Sequence, residues 1–285
     1  MKYCKIKKYF LTIKVRGREE KVYKVSDVIS VIENIAPLSF ACEWDNVGLL
    51  IGNRETTVKN VLLTLDVDEF VVDEAIQKGC NLILSHHPLI FHPVKRLNEE
   101  NISEKVIMKL IKNDISLYSA HTNLDVAPGG LNDYMASKLE LNNTKILEIS
   151  GVSDKGEYGF GRYAVLDAPL TMNKIIEKCK SVFNLNVSKF VGNPDDLIRT
   201  VAVNCGGGAG SIDSCFNKNI DLFISGDFKY NILRDAYENK LNVIDVGHYN
   251  SEHIVIDLFY EILSKNLTDI NLTKSEKNID FIKYL

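Results

Sequence analysis

Short apolar runs separated by helical patterns recur along this chain at a fixed spacing, and that recurrence restricts its possible folds more than any other feature. Val61-Leu62-Leu63-Thr64-Leu65 reads as a buried strand, a helix follows near 69–78, and Asn81-Leu82-Ile83-Leu84-Ser85 reads as a second strand. Another helix near 103–113 leads to a third strand, Ser116-Leu117-Tyr118-Ser119-Ala120. Thr200-Val201-Ala202-Val203-Asn204 matches the first strand at an offset of 140 residues, and Leu222-Phe223-Ile224-Ser225 matches the second at the same offset. A helix near 229–239 and the strand Asn242-Val243-Ile244-Asp245-Val246 complete the second set, with the offset reduced to about 127 because the first copy has a longer connection at 88–103. Strands alternating with helices imply an α/β fold with largely parallel or mixed sheets, covered on both faces. The constant offset implies internal duplication.

The first confident element is a helix near 27–36. Val28, Val31, Ile32 and Ile35 carry its apolar period, Ser26 is the expected cap, and Pro37 lies just beyond. Between the copies, Gly151 to Gly161 reads as a loop or hairpin, a helix is expected at 171–183, and Gly192-Asn193-Pro194-Asp195 is a turn signal. The chain therefore divides into a basic extension at 1–24, a first α/β repeat at 25–140, and a second at 141–285 whose C-terminal part packs back on the first.

Charge and composition exclude some functions. A formal net charge of −4 argues against general nucleic-acid binding, which needs a positive field. Residues 1–24 carry nine Lys or Arg against Glu19 and Glu20, so the remainder is distinctly acidic. The longest apolar stretch in that segment, Tyr9-Phe10-Leu11-Thr12-Ile13, is too short for a signal-peptide core, and alternation in Phe10-Leu11-Thr12-Ile13-Lys14-Val15 suits a strand. No run approaches the roughly 20 apolar residues of a membrane span. Cys4, Cys42, Cys80, Cys179, Cys205 and Cys215 are scattered without a Cys-x-x-Cys pair, so reduced thiols in a cytoplasm are expected, not disulfides or a cysteine zinc cluster.

The chemistry gathers at strand ends, where α/β sheets place their ligand-binding groups. Ser85-His86-His87-Pro88 directly follows a strand. Adjacent side chains of extended backbone diverge, so this His pair serves two neighbouring ions, or is simply hydrogen-bonded at a strand end. His248 and Glu252 stand at i and i+4 of a helix, close enough to meet one metal, and a carboxylate can bridge two ions; alone, the pair is equally a solvated first turn. His121-Thr122-Asn123-Leu124-Asp125 follows the third strand and repeats the His-x-x-x-carboxylate spacing, with Asp125 a hard oxygen ligand and His121 either a ligand or a group orienting one. Three such segments together outweigh the bland reading of each. His92 and His253 are left outside the site, the latter because it turns away from the Glu252 face. Gly206, Gly207, Gly208, Gly210 and Ser211 form a run that either presents N–H groups to phosphate or makes a tight turn; without Gly-Lys-Ser/Thr it is no P-loop. Cys205 reads as a packed small residue.

Trp44-Asp45-Asn46-Val47-Gly48-Leu49, Ser85-His86-His87-Pro88-Leu89-Ile90-Phe91, His121-Thr122-Asn123-Leu124-Asp125, the Gly206–Ser211 run, Gly226-Asp227 and Gly247-His248-x-x-x-Glu252 occur in this order. In this the chain resembles the GTP cyclohydrolase 1 type 2 family, also called the NGG-interacting-factor-three-like dinuclear metal proteins, over about residues 25 to 285. The resemblance implies two divalent metal ions per chain held by His86, His87, Asp125, His248 and Glu252, with Glu252 bridging. It also implies two intertwined α/β repeats with the metal site between them, and a ring-shaped homohexamer. Some relatives carry a large domain inserted between the halves, for which this chain is too short.

Three functions compete. One is metal-dependent hydrolysis of GTP or a related purine nucleotide, opening the guanine ring and releasing formate, with the Gly206–Ser211 loop on phosphate. Another is a dinuclear phosphoesterase, and the third a metal-loaded scaffold or regulatory protein without turnover. His and carboxylate ligands suit zinc, iron, manganese and nickel alike.

Overall fold

Buried β-branched and leucine side chains on both faces of a strand demand cover on both sides, and the computed structural model, which describes residues 11–15 and 18–283, supplies it in layers. An N-terminal antiparallel pair, β1 (Leu11–Val15) and β2 (Arg18–Val22), stands apart from the two main sheets. Phe10 of the expected first strand lies outside the described residues. Helix α1 (Val25–Ile35) follows. It begins ahead of the expected Ser26 cap because the carbonyls of Thr56 and Arg54 accept the N–H groups of Val25 and Ser26 at 2.9 Å each, which satisfies the helix start without a capping side chain. The Asp27 carboxylate accepts the Lys24 N–H at 2.9 Å.

The first main sheet holds β3 (Gly48–Ile51), β4 (Asn60–Thr64), β5 (Leu82–Ser85) and β6 (Ser116–Ser119), connected through α2 (Glu69–Gln77) and α3 (Ile102–Lys112). After β6 come two short helices, α4 (Thr122–Val126) and α5 (Leu131–Lys138). The Gly-rich segment 151–161 forms a hairpin between β7 (Lys145–Ser153) and β8 (Gly156–Thr171). Helix α6 (Met172–Phe183), β9 (Lys189–Val191) and β10 (Leu197–Val203) lead through α7 (Ile212–Asn217) to β11 (Leu222–Ser225), then through α8 (Tyr230–Glu238) to β12 (Asn242–Asp245). The chain finishes with α9 (His248–Glu252), α10 (Val255–Asn266) and β13 (Asn271–Lys274).

The strand orders are β13-β4-β5-β6-β3 and β7-β8-β10-β11-β12-β9. In each sheet three parallel strands run in sequence order and an antiparallel edge strand, β3 or β9, pairs with the third. Both sheets are thus mixed. Alternating side chains send Leu62, Ile83 and Leu117 against α2 and α3, and Ala202, Phe223 and Val243 against α7 and α8. The opposite faces, through Leu63, Leu84, Val203 and Ile224, meet a shared central core with α1, α5, α6 and α10. That sharing holds the C-terminal ends of both parallel triplets near one another. Among the described residues no helix is long and apolar enough to cross a membrane, and Cys42, Cys80, Cys179, Cys205 and Cys215 are all free thiols.

Strand β13 returns from the end of the chain to pair in parallel with β4. Buried Glu74 on α2 fastens the segment after it, accepting from Ser275 Oγ at 2.6 Å, from the Glu276 N–H at 3.0 Å and from Lys78 Nζ at 2.8 Å. Burial opposes its ionisation, but these donors hold the carboxyl below its ordinary value. A depressed folded-state pKa contributes stability above the unfolded value that is lost as pH falls. Glu74→Gln, which turns an amide toward donors, is expected to cost about 1–3 kcal/mol near neutral pH. Urea unfolding of both proteins should show the difference shrinking below about pH 4.5, the ordinary value of a glutamate carboxyl; a difference constant with pH would contradict this account.

Candidate metal centre

The His86–His87 turn is set by backbone pairing that continues past β5. The N–H groups of His86 and His87 bond to the carbonyls of Thr64 and Leu65 at 3.2 and 2.9 Å, and Ser85 Oγ donates to the His87 carbonyl at 2.9 Å while accepting from Ser119 Oγ at 2.7 Å. The two rings lie with centroids 5.2 Å apart, His86 fully buried and His87 partly open. The end of β6 delivers His121 and, one helical turn on, buried Asp125. From the second sheet, α9 delivers His248 and buried Glu252 on one face.

All of these converge. Glu252 Oε2 lies 2.9 Å from both His87 Nε2 and His248 Nε2, and its Oε1 lies 3.9 Å from His86 Nε2. Asp125 Oδ1 lies 3.5 Å from the same His86 atom. Two overlapping groups have donor atoms close enough to share a cation, His86 with His87 and His121, and His87 with His248 and Glu252.

Each imidazole is oriented from behind by an oxygen. His86 Nδ1 donates to the Ala120 carbonyl at 2.7 Å, His87 Nδ1 meets Asp66 at 2.7 Å, His248 Nδ1 meets Asp227 at 2.7 Å, and His121 Nδ1 meets Asp45 at 3.0 Å. A ring nitrogen that donates outward leaves its partner nitrogen as a lone pair directed into the centre, which is the arrangement of metal-binding histidines. His86 decides the matter. Its Nε2 is buried without any hydrogen-bond partner and faces two carboxylates, so a neutral ring opposes lone pair to anion unless a cation lies between them. The donor set fits a divalent metal.

The charges agree with that reading. Burial drives His86 down to about 3, so it stays neutral. Burial also opposes a proton on His87, but Asp66 and Glu252 raise it to about 10, and the Glu252 hydrogen bond with help from Asp227 raises His248 to about 9 against burial. Burial works against ionising Glu252 too, yet His248 and His87 hold its carboxyl well below the usual range. Asp125 is pushed up to about 7 by burial and by Glu252, against the pull of His121. The centre as a whole calls for positive charge.

His86, His87, Asp125, His248 and Glu252, the side chains expected from the sequence, come together here with His121. Asp45, Asp66 and Asp227 had no expected role. The available signal was an acidic residue two positions past a buried strand, Asp66 after β4 and Asp227 after β11. Cys205 is buried as expected, but its thiol also donates to Asp125 Oδ1 at 3.4 Å, and burial together with Asp125 raises its pKa well above normal, against a nucleophilic role. His92 is exposed on the loop after β5, and His253 packs against Tyr249 with ring centroids 4.9 Å apart and planes tilted by 32°.

The glycine run forms a wall of the same cleft, which encloses about 530 Å³ and is also lined by Trp44, Glu148 and Phe160. Gly206 has φ +59°, and a Cβ on it would fall 1.8 Å from Glu252 Oε1. A Cβ on Gly208 would fall 2.5 Å from the Asn204 side chain. Close approach to site side chains therefore requires glycine at both positions. The Gly206 N–H is engaged by Ser251 Oγ at 2.9 Å, and the Ser211 hydroxyl by Glu148 at 3.0 Å.

Residues 23–280 match the profile of Duf34/NIF3 (NGG1p interacting factor 3). The chain belongs to this family. Among Duf34/NIF3 relatives, the GTP cyclohydrolase 1 type 2 homolog of Clostridium perfringens is 36% identical over 92% of this chain and 100% of its own. NIF3-like protein 1 of Drosophila melanogaster is 35% identical over 86% of this chain and 84% of its own. The crystal structure of a Bacillus cereus protein related to NIF3 superposes with a TM-score of 0.83 at 26% identity, covering 93% of this chain and all of that one. The two mixed sheets are the Duf34/NIF3 fold.

Removing an orienting carboxylate should loosen its histidine without touching the donor atoms. Asp66→Ala is expected to weaken metal affinity about 10- to 100-fold, with little change in stability. Chelator competition monitored by elemental analysis provides the check, and an unchanged affinity would reduce Asp66 to a surface contact.

Proposed function

We propose that this protein is a metal-dependent hydrolase of GTP or a related purine nucleotide, working with two divalent cations per chain. The observation that carries the reading is Glu252, a buried carboxylate whose one oxygen is equidistant from His87 and His248 while the other turns toward His86. In this reading His86, Asp125 and Glu252 hold one ion, His87, His248 and Glu252 hold the other, and zinc, iron, manganese or nickel satisfies the donors. Such a pair supplies Lewis acidity, making water more acidic and neutralising charge that develops on an oxygen of the substrate.

The chain's own residues do the rest. Asp66 and Asp227 fix the ring planes of His87 and His248. His121, held at the cleft wall by Asp45 at 3.0 Å, is the side chain at hand for passing a proton to a leaving nitrogen. Trp44 and Phe160 give the cleft flat apolar surface for a base. No Lys or Arg lines the cleft among the described residues, so nucleotide phosphates depend on the cations and on backbone N–H groups at the start of the short helical turn 208–211. The name carried by the Clostridium perfringens relative supports a GTP-directed activity.

The same proposal reads the two halves, 25–140 and 141–285, as intertwined copies of one unit with the centre between them. Their common order of three parallel strands and one antiparallel edge supports it. It also takes the ring hexamer as the working assembly. Exposed Ile149, Val152, Val165 and Leu197 on β7, β8 and β10 offer apolar contact area for it. Light scattering should return about six times the 32.1 kDa chain mass; a monomer at micromolar concentration would remove the assembly from the proposal.

Incubating the metal-loaded protein with GTP separates the candidate activities. Formate release supports ring opening, phosphate release alone marks a phosphoesterase, and neither product leaves a metal-loaded scaffold. The bridging assignment has its own test. Two cations held close together repel, so Glu252→Gln, which keeps the shape and loses the shared anion, is expected to retain at most one metal per chain. His87→Ala should weaken chiefly one ion. Two metals per chain in Glu252→Gln would sink the bridge whatever the activity.

A further inference from the structure

Beside the glycine run, the cleft carries a hydrogen-bond relay that metal binding does not use. Asn204, buried at the end of β10, donates from Nδ2 to Ser211 Oγ at 3.0 Å, and Ser211 Oγ donates to Glu148 Oε2 at 3.0 Å. Glu148 stands on β7 directly opposite Phe160 on β8. Cross-strand partners in an antiparallel ladder project to the same face, so the carboxylate and the aromatic ring sit side by side, and both line the cleft. Among the described residues the Ser211 hydroxyl is the one hydrogen-bond partner of the Glu148 carboxylate, and no Lys or Arg pairs with it. A carboxylate steadied through one oxygen and presented beside a ring, with no cation answering it, is arranged to accept donors from a ligand.

We infer that Glu148 selects the substrate. It accepts two adjacent N–H groups from the edge of a planar nitrogen heterocycle whose face rests on Phe160, in a cleft that Trp44 also lines. The matching class is a purine with a ring N–H next to an exocyclic amino group. Hypoxanthine keeps the ring N–H and lacks the amino group, and adenine presents a bare ring nitrogen as an acceptor where the carboxylate needs a donor. The cleft of about 530 Å³ suits a nucleoside-sized ligand. Asn204 and Ser211 are positioning residues, since they restrain the carboxylate without meeting the ring themselves. This assignment rests on reading the cleft as a purine nucleotide site, and goes beyond it by naming the residue that discriminates among purines.

GTP, ITP and ATP carry the same triphosphate, so any interaction at the cations cancels in their affinity ratios and the ring edge alone remains. Calorimetric titration of the metal-loaded protein is expected to show GTP bound about 10- to 100-fold more tightly than ITP or ATP, the range of a lost charge-assisted hydrogen bond. Glu148→Gln opposes its amide N–H to a donor edge and should bring the three within about 3-fold of one another, with metal content by elemental analysis unchanged. Since Glu148 is exposed, the variant is expected to fold, and its melting temperature checks this. Equal affinities in the wild type, or a GTP preference that survives in Glu148→Gln, would overturn the assignment. A preference that disappears in the variant, in a protein that releases no formate from GTP, would uphold Glu148 while removing the hydrolase reading.

Discussion

Everything around the centre answers one electrostatic demand, a carboxylate buried among imidazoles that both halves of the molecule supply. Glu252 is almost wholly excluded from solvent and close to a second buried carboxylate, Asp125. Burying anions is costly unless positive charge and hydrogen bonds compensate. His87 and His248 meet Glu252 directly, Asp66 and Asp227 reinforce those rings from behind, and Gly206 leaves out a side chain that would collide with Glu252. The arrangement works only if both sheets bring the C-terminal ends of their parallel strands to one place. The shared core between the sheets provides that alignment.

Much of this was legible in the sequence. The parallel strands are short continuous apolar runs with helices between them, and such runs report burial on both faces directly. Site residues at their ends inherit that clarity, which is why His86, His87, His121, Asp125, His248 and Glu252 stood out. Less visible were residues whose roles depend on the other end of a long-range contact. Asp45 reaches His121 across 76 positions, and Asp66 reaches His87 across 21. A lone Asp after a strand is indistinguishable from a solvated turn until its partner is located. The Ser26 cap was misplaced for a related reason, since carbonyls from residues 54 and 56 satisfied the helix start.

The glycine run illustrates how one pattern can serve different physics. Consecutive glycines suit phosphate because backbone N–H groups become accessible, and they equally suit close packing because nothing projects. Here Gly206 and Gly208 are tightly applied to Glu252 and Asn204, so the run shapes the cleft wall on two sides. The same wall carries Glu148 and Ser211, and the loop thereby links the metal centre to the surface that faces a ligand.

The placement of β13 has a consequence for how the protein is made. This strand, among the last described residues, covers the edge of β4 more than 200 positions earlier, with the Asn271 amide meeting Asn60 Oδ1 across 211 residues. Synthesis proceeds from the N-terminus, so the first half emerges from the ribosome with that edge unpaired, and it stays open until residues 271–274 have emerged. An open edge beside buried apolar strands is a template for pairing with another chain. The growing polypeptide therefore stays adhesive along this edge across roughly 200 residues of synthesis, until the arrival of β13 closes the seam.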